Sequence, residues 1–187
     1  MHKLVSGIVA FFLLALHWSA NSCGKSASNN NKIAQADNAV SQSDIESEEY
    51  TVYSALIEEL FISQETKLVV ITNRTIAEDD DIGKSLQERI NESIPEVSKE
   101  TLSSYESRKK EAHLLSSRFN LRVEYKLVSR GEIDKLLKEE GRWWDAFYKK
   151  YPKSPGLISF SNVGFNPEMT EAFLYVSRWC GSLCGTG

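Results

Sequence analysis

Three cysteines in 187 residues are the side chains best suited to chemistry: Cys23 closes an apolar leader, while Cys180 and Cys184 sit together near the C-terminus, separated by three residues. Two thiols so placed in an exported chain read most simply as a small structural disulfide. Closing so short a loop contributes only about 2 kcal/mol in the chain-entropy account. A redox pair is the competing reading, but it normally shows Cys-x-x-Cys at a helix N-terminus, where the thiolate is stabilised. Zinc fits worse, because two thiols and one distant histidine leave a tetrahedron short. That histidine, His113, is the only imidazole beyond the leader, since His2 and His17 lie within residues 1–22. A dyad or a two-histidine metal site therefore has one ring to draw on, and no cofactor-binding or metal motif is read in the chain.

The leader has three parts. A weakly basic start, His2-Lys3, precedes an apolar core from Leu4 to Leu16 and a small-residue exit, Ser19-Ala20-Asn21-Ser22-Cys23. The core falls short of the roughly 20 apolar residues of a membrane-spanning helix, so a cleaved signal peptide over residues 1–22 is expected. Two peptidases could use the Ser22–Cys23 bond. Ala20 and Ser22 suit an ordinary signal peptidase, and the same stretch resembles a bacterial lipobox, in which the cysteine is acylated before cleavage. Ser22 fits that pattern, whereas Ala20 and Asn21 depart from it. A lipid on Cys23 also accounts for the odd thiol; a free thiol on a disordered tail is the alternative.

Gly24 to Glu49 is rich in Ser, Asn, Gln, Ala and charge. Such a composition cannot bury enough apolar surface to offset its ordering entropy. Residues 23–49 are thus expected to form a flexible tether with an end-to-end distance of about 25–30 Å. Lysine and arginine total 22 against 26 acids, net −4, and removal of the leader takes Lys3 and no acid. A mildly acidic body with interspersed cations lacks the basic footprint of a nucleic-acid binder.

Residues 50–187 suffice for one domain with one core. Ala55, Leu56, Leu60 and Phe61 behind Tyr50 and Tyr53 predict an opening amphipathic helix, and Leu68-Val69-Val70-Ile71 predicts a buried strand. Glu78-Asp79-Asp80-Asp81 lacks EF-hand spacing and reads as a solvated loop before a short helix. Asn73-Arg74-Thr75 and Asn91-Glu92-Ser93 match the N-glycosylation triplet, which has meaning only in a eukaryotic secreted chain. Ser103 and Glu106 have capping-box spacing, predicting a helix that carries His113 and runs to Phe119. Leu121 to Leu127 alternates apolar and charged residues, the pattern of a half-buried strand. Ser129 and Glu132 form a second capping box, opening a helix through Leu137 that stops at Gly141. Trp143, Phe147 and Tyr151 keep a four-residue spacing that favours core packing over a sugar- or base-stacking platform. Leu157 to Phe165 and Ala172 to Val176 predict an antiparallel hairpin. The fold class is thus α+β, a single domain with helices packed on a mainly antiparallel sheet.

Tyr151-Pro152-Lys153-Ser154-Pro155-Gly156, Ser159-Phe160-Ser161-Asn162-Val163-Gly164-Phe165-Asn166 and Cys180-Gly181-Ser182-Leu183-Cys184-Gly185 together resemble the tails of a family of exported bacterial proteins with a Cys-Gly-x-Leu-Cys-Gly loop. More weakly, the likeness extends to Tyr53 through Thr75 and to the aromatics near Trp144. It implies an exported α+β domain and brings no catalytic residues. The family usually continues into a further strand where this chain stops at Gly187, a departure that implies a truncated C-terminus and an unpaired edge over Ala172 to Val176.

The expected function is that of an exported envelope protein, held to the membrane through a lipid on Cys23 or released to the periplasm or medium, that serves as a non-enzymatic interaction or structural module with an envelope protein partner. The alternative is a small exported enzyme that uses the Cys180/Cys184 pair or carboxylates such as Glu58, Glu59, Asp145 and Glu171.

Overall fold

A computed structural model describes residues 42–77, 97–138 and 143–181. The first helix, α1, spans Gln42–Leu60 and buries Glu49, Tyr50, Val52, Tyr53, Leu56 and Ile57, a stripe with helical spacing. It starts before residue 50, inside the segment expected to be tether. Ile45 packs against the core and Glu49 is buried, so part of the polar stretch folds because its few inward positions contact the body.

Strand β1 (Leu68–Thr72) is central. β2 (Glu124–Val128) flanks it on one side and β3 (Leu157–Phe160) on the other, both parallel to it, and β6 (Val176–Trp179) lies antiparallel beyond β3. Helices and strands form one α+β domain, as expected, but the sheet is mixed rather than mainly antiparallel: two of its three pairings are parallel. Parallel neighbours need long crossovers, and this chain supplies them. The β1–β2 connection holds α2 (Lys99–Arg108), and the β2–β3 connection holds α3 (Arg130–Leu137) and α4 (Trp143–Lys150). Crossovers leaving β1 and returning past it in opposite directions fall on opposite faces of the sheet.

Both faces of β1 are accordingly covered, which explains its continuous apolar run. Val69 and Ile71 join α1, Leu115 and Phe119 in one cluster; Val70 joins Leu136, Phe147 and Tyr151 in another. Tyr53 stacks on Phe160 with centroids 4.6 Å apart. The four-residue aromatic spacing does bury Phe147 and Tyr151. The Ser129–Glu132 capping box forms as expected, with each side chain bonded to the other residue's backbone N–H. Gly141, the expected stop after it, lies outside the described residues, as do the acidic cluster and Asn91.

The helix expected to run from a cap at Ser103 to Phe119 instead starts earlier and ends sooner, spanning Lys99–Arg108. Ser98, not Ser103, caps α2, its hydroxyl accepting from Thr101 N–H. The helix ends at Arg108, and the Asn162 side-chain amide takes the carbonyls of Arg108 and Glu111. His113 therefore lies on an irregular segment, bonded to Thr75, rather than on a helix. The predicted C-terminal hairpin is present as two nested antiparallel pairs, β3 with β6 and β4 (Gly164–Phe165) with β5 (Ala172–Phe173). Along Ala172 to Val176, Ala172 and Phe173 pair with β4 and Val176 pairs with Phe160 and is fully buried; each of β5 and β6 has one strand partner among the described residues, and β6 is the outermost strand of its sheet.

Candidate functional site

The strongest concentration of polar chemistry surrounds Glu49, whose side chain is 1% exposed. Its Oε1 lies 2.8 Å from the Arg108 guanidinium and accepts from Val163 N–H at 3.3 Å; its Oε2 lies 3.7 Å from His113 Nε2. Burial pushes the Glu49 carboxyl above the usual range, against the opposing pull of Arg108. Arg108 in turn donates to Val163 O at 2.6 Å. The carboxylate thus ties three segments together: α1, the end of α2 and the turn before β4.

His113 is half-buried, and its Nδ1 sits 3.5 Å from Thr75 Oγ1, a long contact. Carboxylate, imidazole and hydroxyl in sequence have the order of a nucleophilic triad. Thr75 is 4% exposed, however, and its oxygen already accepts the His113 backbone N–H at 2.9 Å. The hydroxyl faces the chain rather than solvent, and the cluster holds elements in place. Sequence reading missed Glu49, Arg108 and Asn162. The available signal was Ile45, Glu49 and Tyr53 at four-residue spacing, which extends the α1 stripe backwards through a polar stretch.

The carboxylates named from sequence do not converge. Glu58 bonds Arg122 through both its backbone N–H and its guanidinium, and its neighbour Glu59 is exposed. Glu171 accepts from the Ser98 backbone and hydroxyl; burial raises its carboxyl, but these bonds and one from Thr101 outweigh burial and leave it below the usual range. Asp145 lies on α4, across the sheet from α1. Cys180 follows β6, and its carbonyl accepts from Tyr148 OH at 3.1 Å. Cys23 and Cys184 lie outside the described residues.

A groove of about 380 Å³ runs along the outer side of α1. Ser47, Thr51, Ser54 and Glu58 form one wall; Arg118 and Asn120 form the other. Arg118 lies over the Tyr50 ring at 4.9 Å, and the Asn120 backbone N–H reaches Ser54 Oγ at 3.0 Å. The groove is thus open, with hydroxyl, amide, carboxylate and guanidinium groups set beside the apolar surface of Tyr50 and Ala55. No family model, curated protein or solved structure matches the chain.

Proposed function

We propose that this protein is an exported, non-enzymatic interaction module, held to a bacterial envelope membrane by a lipid on Cys23 and stapled at its C-terminus by a Cys180–Cys184 disulfide. The observation that carries the non-enzymatic part is the use made of its one imidazole beyond the leader: His113 sits between a buried carboxylate and a hydroxyl turned inward, so its polar partners serve packing. The leader, the polar stretch after Cys23 and the resemblance of the tail to exported bacterial proteins support the location. A membrane-held module binds its partner through surface features, and the α1 groove is such a feature.

Cell fractionation with labelled fatty acid tests the anchor. The label and membrane association are expected in the wild type and lost in Cys23→Ala; if both survive the substitution, the lipid reading fails. Alkylation of the exported protein with and without reductant tests the staple. Cys180 and Cys184 are expected to react only after reduction, and free reaction beforehand would remove it.

A further inference from the structure

The α1 groove carries unlike charges at its two ends. Arg118 marks one end, over Tyr50 and 3.7 Å from Glu46; Glu58 marks the other. At 1.5 Å per helical residue the two levels are about 12–18 Å apart. Neither charge is saturated. Glu58 gives each oxygen one bond to Arg122, which leaves roughly half of its four or so acceptor sites. Arg118, 43% exposed on its side chain, has one long carboxylate contact among the described residues for its five donors. Between the two ends lie hydroxyls and the Asn120 side chain, and the volume falls at the lower end of the range of about 300–1,000 Å³ typical of small-ligand sites.

We infer that this groove binds a short extended peptide with free termini, its carboxylate on Arg118 and its ammonium on Glu58. At about 3.3 Å per extended residue, the spacing suits roughly four residues. The proposal deepens the interaction-module reading and rests on it, naming the ligand class of that module.

Tetra-alanine is the probe, titrated into the full-length protein by calorimetry and by amide chemical shifts of Thr51 and Asn120. Saturable binding is expected, weakened about tenfold by N-acetylation and about tenfold by C-amidation, the scale of losing one charge-assisted bond. Arg118→Gln should weaken the free peptide and become indifferent to amidation; Glu58→Gln should become indifferent to acetylation. Both side chains are surface groups, and a thermal melt of each variant confirms that it folds. Equal binding of capped and free peptide overturns the assignment, as does the absence of saturable binding. Loss of peptide binding with fatty-acid labelling of Cys23 intact sinks this site alone and leaves the anchor standing.

Discussion

Glu49 and Arg108 meet at 2.8 Å, one carboxylate oxygen on one guanidinium, with the Glu49 side chain 1% and the Arg108 side chain 22% exposed. The two residues stand 59 positions apart in sequence, and their contact fastens α1 to the end of α2. Breaking a buried pair from one side leaves an uncompensated charge. Arg108→Met is therefore expected to destabilise the fold by about 3 kcal/mol, read from urea denaturation. Glu49→Gln should cost less, because an amide tolerates burial better than a lone carboxylate. Equal costs would show that the pair matters only for its shape.

The same carboxyl gives a pH signature. Its folded value is raised above its unfolded value, so the stability this group contributes is fully present below the ordinary carboxylate range and is lost as pH rises through the raised value. Glu171 has the opposite sign: its contribution is present above the ordinary value and lost as pH falls through the lowered one. Urea midpoints of wild type and Glu49→Gln, compared from pH 4 upward, should shift in favour of the variant as pH rises. A constant difference would contradict the burial argument.

Cap substitutions should separate true helix starts from apparent ones. Ser98→Ala and Ser129→Ala should each cost about 1 kcal/mol, whereas Ser103→Ala, inside α2 and exposed, should change stability by a few tenths at most. Thermal midpoints suffice to rank the three.

Gly156 carries φ +120°, and a Cβ there would lie 2.3 Å from Trp179 O and 2.7 Å from Cys180 Cβ. Gly156→Ala should therefore cost at least about 2 kcal/mol through strain and overpacking. Gly131→Ala makes the control: its nearest contact is 4.0 Å, and in a helix it should stabilise by about 0.5–1 kcal/mol. Chemical denaturation of both variants gives the comparison.

Local signals were legible wherever one element decided the outcome. Leu68–Ile71 announced a strand buried on both faces, and Ser129 with Glu132 announced a helix start. The spacing of Trp143, Phe147 and Tyr151 announced core packing, which Phe147 on α4 and Tyr151 just after it provide while Trp143 stays half-buried. Failures came where a distant residue decided. Nothing near Arg108 says that α2 must stop there, because the amide that takes its carbonyl belongs to Asn162. Leu115 and Phe119 are as buried as helical residues would be, yet irregular chain delivers them. Glu49 looked like solvated tether because its partners come from residues 108, 113 and 163. Parallel pairing was hidden for a related reason: an isolated strand carries no mark of its neighbour's direction.

The order β2-β1-β3-β6 has a consequence for synthesis. Strand β1 leaves the ribosome early, but its second neighbour, Leu157–Phe160, is made some 85 residues later. Until then β1 has at most one of its two hydrogen-bonding neighbours, and the apolar run Val69-Val70-Ile71 presents an unpaired strand edge that awaits a late arrival.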